Sequence, residues 1–454
     1  MKKIQHLCLC LAFSVVGAVQ AQPVSKNEQS FSLAQAIDYA LKNSETAKNA
    51  QLDVLKANYR IKEVRAIGLP QINGSVQVTD NFKIRPVILP PESGAAFSPP
   101  GTPISKEPVV LKFGIRNTGD AILSASQLLF DGTFFTGLQA AKVYRQLVEK
   151  QAIQSEEQII ENVKKAYYAV LVYEEGISLL DKNLAQLDTL LRNTEALFKQ
   201  GFVEEIEVMR LQVARNNLAT QKENTLRGIQ ISRNLLQLQM GLELGTPLTL
   251  TDKLDKNILA NIPQPNPENY KQRIEYSILE TQLALTKLDA KVNKVGYLPS
   301  LRLVGNYGAT AGRQNLGEIF YNEWFSLGSV GLALSIPIFD GGMKYHRMQQ
   351  AKIDGLKVEN GFSQLKRAIH FEQEQAYLQV QNNLSSLTSQ QRNYELAQEV
   401  LRVAKKKYAA GVGSSLEVVQ AETDMQTAFN NYQTALYNAI VSKIDLDKAL
   451  GQLK

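Results

Sequence analysis

The sequence predicts a mainly α-helical protein with a membrane β-barrel, in which very long coiled-coil helices alternate with four strands. Three observations carry this. Two long windows lack proline, short segments of alternating polarity lie between the helical runs, and the two halves of the 454-residue chain resemble each other.

The chain opens MKKIQHLCLCLAFSVVGAVQAQP, with Lys2 and Lys3, an apolar run, and small residues around Val19 and Ala21. That order predicts a secretory signal peptide over residues 1–21. Both cysteines, Cys8 and Cys10, fall inside it, so the mature chain is expected to hold no disulfide, thiolate metal site or thiol nucleophile. The apolar run before them is too short for a lipoprotein signal. Without Lys2 and Lys3 the formal charge is 50 − 2 − 44 = +4, spread along the chain, which argues against a nucleic-acid partner. No mature segment reaches the roughly 18 apolar residues of a membrane helix, so any span must be made of strands.

Helix signals begin at SLAQAIDYALKNSE. Ser32 and Gln35 form a capping box, and Leu33, Ala36, Ile37, Ala40 and Leu41 share a face. This helix is expected to reach about Ala66 with a break or two. Proline is absent between Pro108 and Pro247 and again after Pro337. Since proline is confined to helix ends and loops, residues 133–200 and 342–410 can each form one helix, roughly 100 Å long. Leu180, Leu184, Leu187 and Leu191 recur at heptad spacing, as do Tyr394, Ala397, Leu401, Ala404 and Tyr408, which predicts coiled-coil packing.

Between the helices, Val330, Leu332, Leu334, Ile336 and Ile338 alternate with Gly331, Ala333, Ser335 and Pro337. Leu301 and Leu303 alternate with Arg302 and Val304, and further strands fit residues 71–80 and 115–130. One apolar and one small or polar face is the pattern of a transmembrane β-barrel. Tyr307, Phe320, Tyr321, Trp324 and Phe325 flank these segments as an interfacial girdle would. Four strands cannot close a barrel, and lipid does not tolerate open edges, so the chain must oligomerise.

The duplication is specific. Phe198, Gly201, Ile206, Glu207, Val208 and Gly241 match Tyr408, Gly411, Leu416, Glu417, Val418 and Gly451 at an offset of 210. Phe130-Asp131-Gly132 matches Phe339-Asp340-Gly341 at 209, and Leu69-Pro70 matches Leu298-Pro299 at 229. The difference lies in the insertion KIRPVILPPESGAAFSPPGTPISKEP, which is expected to be an irregular loop at the outer mouth. The predicted organisation is a signal peptide (1–21), a first repeat (22–250), a linker or equatorial segment (251–266) and a second repeat (267–454). Each repeat runs helix, strand, loop, strand, very long helix, glycine turn, shorter helix. The strands therefore gather at one end and the turns at Gly201, Gly411 and Gly413 at the other.

SLAQAIDYAL, GYLPSLRL, the paired FDG turns and the repeated aromatic-x-x-Gly turn before Leu/Ile-Glu-Val together resemble the TolC family of outer membrane efflux proteins, over residues 31–453. The resemblance implies a homotrimer whose three sets of four strands form one 12-stranded outer-membrane barrel, continued by a hollow periplasmic α-barrel. It implies an exit duct for efflux or type I secretion, with no enzymatic activity and no cofactor. Its implied partners are outer-membrane lipid, a periplasmic adaptor (membrane fusion protein) and an inner-membrane pump of RND or ABC type. It also implies a constriction near the second turn, with Tyr408 at the aromatic position, Glu417 at the first carboxylate position and Gln420 at the second. Gln420 and Gly413 depart from the family's second carboxylate and basic residue, so the ring is less negative than the usual one.

Charge suggests a further pairing at this end, between Glu204, Glu205 and Glu207 and the run Lys405, Lys406 and Lys407. Catalytic signals are weak: His346 and His370 are about 36 Å apart on one predicted helix, too far to share a metal. The competing reading is a non-conducting coiled-coil spacer or adhesin anchored in the outer membrane. It predicts a single barrel segment at one chain end and a solid core.

Overall fold

The structure is a computed structural model that describes residues 29–96, 99 and 107–453. The expected signal peptide, with Cys8 and Cys10, lies outside the described residues.

The first repeat opens with β1 (Gln29–Phe31) and α1 (Leu33–Asn43). The Ser32–Gln35 capping box forms in both directions. The expected break falls at Ser44, whose extended backbone ends α1 and whose hydroxyl accepts from Ala47 N to start α2 (Glu45–Ala66). β2 (Gln71–Asp80) follows, then β3 (Val87–Leu89), β4 (Val109–Leu111) and β5 (Asn117–Phe130). The proline-rich insertion contains a strand that was not expected: β3 lies inside it and pairs antiparallel with β4, which begins directly after it. Extended Val-Ile-Leu against Val-Val-Leu supplies β-branched cross-strand pairs that outweigh the nearby prolines.

Asp131 then caps α3 (Gly132–Lys199) by accepting from Thr133 N at 2.7 Å, and α4 (Glu205–Met240) returns. β6 (Leu248–Leu250) runs parallel to β1 and closes the first repeat on itself. The second repeat contains α5 (Ile274–Val295), β7 (Ser300–Arg313), α6 (Glu318–Tyr321), β8 (Phe325–Ser335), α7 (Met343–Ala409) and α8 (Ser415–Ala449). β8 stops at Ser335, so Ile336 and Ile338 lie beyond it; Pro337 offers no amide to extend the ladder.

β2, β5, β7 and β8 form one antiparallel sheet in that order. Its register sorts the side chains into two faces. Ile72, Ala125, Gly305 and Val330 make one cross-sheet row, and the next row along the strands is Asn73, Ser124, Asn306 and Ser329. Ile72, Val76, Val330, Leu332 and Leu334 are exposed on the apolar face. The two edges, β2 and β8, have no partner among the described residues and are 10 and 11 residues long. Tyr307, Phe320, Tyr321 and Phe325 are exposed near the strands as expected. Trp324 differs: its indole donates to Ile319 O at 2.9 Å, and its ring packs so closely on β5 that a Cβ at Gly119 would lie 2.9 Å from it.

The helices bury a continuous seam. Leu180 and Leu187 of α3, Leu401 and Ala404 of α7 and Val418, Met425 and Leu436 of α8 are buried in one cluster, with Leu184, Leu191, Tyr394, Ala397 and Tyr408 packed against it. Each buried leucine contributes about 1.5–3 kcal/mol relative to exposure, and this packing along the seam sustains helices far longer than the ordinary globular length.

Candidate gate at the hairpin tips

Two helical hairpins, α3–α4 and α7–α8, end far from the sheet. A helix of 68 residues rises roughly 100 Å, which sets that separation. Both turns use a glycine in the left-handed region, Gly201 at φ 77° and Gly411 at φ 74°. Phe202 N bonds to Leu197 O at 2.9 Å, and Val412 N to Lys407 O at 3.1 Å, the six-to-one bond that closes a helix C-terminus. Gly413 serves a different purpose. Its φ is not positive, but a Cβ there would sit 3.0 Å from Lys407 Cβ and 3.1 Å from Tyr408 N, so glycine lets the chain pass close to the last turn of α7.

Ser414 caps α8 by accepting from Glu417 N at 3.3 Å. Ser-x-x-Glu is a readable capping pattern, yet the Glu417 carboxylate turns instead to Lys407, 3.2 Å away, and this pair is half exposed. Glu417 and Gln420 share a groove with Val400, Val403, Leu416 and Asp424. Gln420 donates to Asp424 at 2.9 Å, which places a carboxylate on the same face as Glu417 two turns deeper into α8.

Tyr408 reaches the other hairpin: its hydroxyl lies 3.1 Å from that of buried Thr194 on α3. Burial pushes the Tyr408 phenol above its ordinary value, so it stays neutral and hydrogen-bonding at physiological pH. Glu207 crosses as well, its carboxylate accepting from Ser415 N at 2.8 Å and from Arg210 at 3.3 Å. It thus closes the N-terminus of a helix in the opposite hairpin, where backbone N–H groups and the helix dipole favour negative charge.

The expected pairing of Glu204, Glu205 and Glu207 with Lys405, Lys406 and Lys407 does not occur among the described residues. Lys407 goes to Glu417, Lys405 to Glu422 at 3.3 Å and to Gln186 at 3.2 Å, and Lys406 lines a groove between α3 and α7. Glu204 stands at the start of α4 with no side-chain cap bond. Lys407 pairs within its own hairpin, whereas Glu207 and Lys405 do reach across, but to Ser415 N and Gln186 rather than to each other.

Thr194, Ser415 and Glu422 were not singled out by sequence reasoning. Glu422 had a signal: Val418, Glu422, Met425, Phe429 and Tyr432 step by four, three, four, three, so Glu422 occupies a seam position. Thr194 had none, since nothing local marks a hydroxyl whose partner is 214 residues away. His346 and His370 are exposed, and no His, Cys, Asp or Glu group suited to a metal occurs among the described residues.

Residues 277–452 match the family model described as outer membrane efflux protein. Alkaline protease secretion protein AprF of Pseudomonas aeruginosa is 23% identical over 338 residues, covering 70% of this chain and 67% of that one. Outer membrane protein TolC of Escherichia coli is 21% identical over 348 residues, covering 74% and 70%. Among solved structures, CusC superposes with a TM-score of 0.68 at 18% identity, covering 92% of this chain and 91% of that one. The shared architecture is that of TolC-like outer membrane channels, whose barrel is completed only by assembly.

Proposed function

We propose that this chain, a member of the TolC family of outer membrane efflux proteins, is one third of a passive outer-membrane exit duct gated at its periplasmic end. One observation carries the reading: a four-stranded sheet with an apolar row beside a polar row and two open edges, attached to helices too long for a globular core. Lipid excludes unpaired edges, so β8 of one protomer pairs with β2 of the next. A head-to-tail contact of that kind generates a closed ring, and three copies give twelve strands around a lumen lined by the Asn73–Ser124–Asn306–Ser329 face.

Residues 22–250 and 267–454 act as two repeats joined by 251–266. Their turns, at Gly201, Gly411 and Gly413, meet a periplasmic adaptor that couples the duct to an inner-membrane pump of RND or ABC type, which supplies the energy. Chemistry inside the duct is confined to passage. Tyr408, Glu417 and Gln420 narrow the periplasmic mouth, with Lys407 neutralising part of the Glu417 charge.

Planar-bilayer recording tests the duct: the trimer conducts, whereas a spacer or adhesin passes no current. The same preparation tests the constriction. Glu417→Ala is expected to weaken block by divalent cations, and an unchanged block removes Glu417 from the narrow point.

A further inference from the structure

Glu422 is a charged residue where a coiled coil wants an apolar one. It is 5% exposed, and neither carboxylate oxygen has a hydrogen-bond partner among the described residues. Lys405 Nζ lies 3.3 Å from Oε2, near enough for an ion pair but not aligned as a hydrogen bond. One turn further along α8, on the same helical face, the carbonyl oxygen Oε1 of Gln426 is also buried without a donor. The Gln426 NH2 donates instead to Asn430 Oδ1 at 3.2 Å. Three buried acceptor atoms thus share one face of α8 with no aligned donor among the described residues, an arrangement that costs free energy unless a proton is added.

We propose that Glu422 is a proton-binding site that selects between two arrangements of the hairpin tips. As a carboxylate it holds Lys405 against α8. As a neutral acid it donates to Gln426 Oε1 and releases Lys405. The proton comes from periplasmic water, Lys405 keeps its own, and no bond between heavy atoms changes. Lys405 has somewhere to go: it borders a groove of about 460 Å³ lined by Asn183, Gln186, Gln398 and Arg402. Because Lys405 also donates to Gln186 of α3, its release alters the contact between the two hairpins.

Among the described residues, the surrounding charges do not offer Glu422 another partner. From α7 the charged group acting on it is Lys405, with Arg402 and Lys406 along the groove and Arg402 engaged with Glu399. α3 presents neutral Asn183 and Gln186, with Lys182 farther along. α4 contributes Leu211, Ala214 and Leu218 to the same cluster, and its Arg215 is taken by Asp188 at 2.9 Å. On α8 itself, Asp424 accepts from Gln420. Burial pushes the Glu422 carboxyl up, and Lys405 only partly opposes this. A carboxyl raised by folding is favoured in its neutral form, so its contribution to stability is present at low pH and declines as pH rises through the folded value.

The test is infrared titration of the full chain in detergent, following the neutral-carboxyl band from pH 8 to 4. The wild-type protein should show a buried carboxyl protonating above the ordinary glutamate range. Glu422→Gln should abolish that band without lowering thermal stability at neutral pH, since it mimics the neutral form. Lys405→Met should tighten proton binding about tenfold or more by removing the opposing charge. A band unchanged in Glu422→Gln, or a midpoint at or below that of free glutamate, overturns the proposal, as does marked destabilisation by Glu422→Gln. Spin labels on Ala409→Cys and Lys199→Cys report the tip distance, which should change with pH in the wild-type protein and be fixed at its acid value in Glu422→Gln. The effect on transport rests on the gate reading above. A distance that responds to pH beside a conductance that does not would remove that reading and leave the proton site standing.

Discussion

The two hairpin tips descend from one sequence pattern but are held differently. At the first, Phe198 is partly exposed, Glu204 begins α4 without a side-chain cap, and Glu207 leaves its own hairpin to close α8. At the second, Tyr408 is tied to Thr194, Ser414 caps the returning helix, and Glu417 stays with Lys407 of the same hairpin. Equivalent glutamates therefore do unlike things, and both cross-links fasten the second tip to the first. The same asymmetry appears at the far end of the returning helices. Gly241 and Gly451 are both left-handed, at φ 72° and 69°, but a Cβ at Gly241 would lie 2.7 Å from Asn43 O, whereas at Gly451 the nearest atom is Arg273 Cδ at 3.5 Å. Duplication preserved the backbone requirement and let the surroundings diverge.

That divergence can be broken most forcefully at the glycines. Either glycine replaced by alanine incurs about 1–2 kcal/mol for the left-handed backbone. Gly241→Ala adds a clash with fixed backbone, about 1–3 kcal/mol of overpacking, while Gly451→Ala does not. Thermal unfolding of the two variants should therefore differ clearly, with Gly241→Ala the less stable; equal midpoints would mean that the α1–α2 junction yields.

A smaller effect separates the glutamates. Glu207→Ala removes a charge-assisted bond to Ser415 N, worth about 1.5–3 kcal/mol at most, and should speed hydrogen exchange in the first turn of α8. Glu417→Ala removes an exposed pair of about 0.2–1 kcal/mol and should leave that exchange nearly unchanged. Matching exchange in the two variants would erase the distinction. The smallest effect is expected at the aromatics. Tyr408→Phe loses one hydroxyl contact, about 0.5–1.5 kcal/mol, and should raise resting leak conductance slightly, while Phe198→Leu should not.

Much of the architecture was legible because it rests on local or periodic physics. Ser32 with Gln35 announced the first helix, the absence of proline announced α3 and α7, and the sheet's first strand lay at residues 71–80 as the alternation implied. The misses were where neighbours decide. Proline-rich sequence hides β3 and β4, whose pairing depends on a segment 20 residues away, and Trp324 packs against the sheet although its aromatic neighbours in sequence are exposed. The lysines and glutamates at the tips could be placed together by counting residues. Their actual partners could not, since reach between turns differs from proximity along the chain.

By itself the sequence determined the long helices, the four strands, the duplicated turns and the need for other copies to complete a barrel. Backbone geometry, periodicity and the intolerance of lipid for open edges act on the chain wherever it goes. Only the tertiary structure decided that Glu207 serves the opposite hairpin, that Tyr408 finds Thr194, and that Glu422 is shut into a seam with one imperfect partner. These depend on how two hairpins far apart in sequence come to lie side by side, and burial, the source of their energetic weight, exists only once they do.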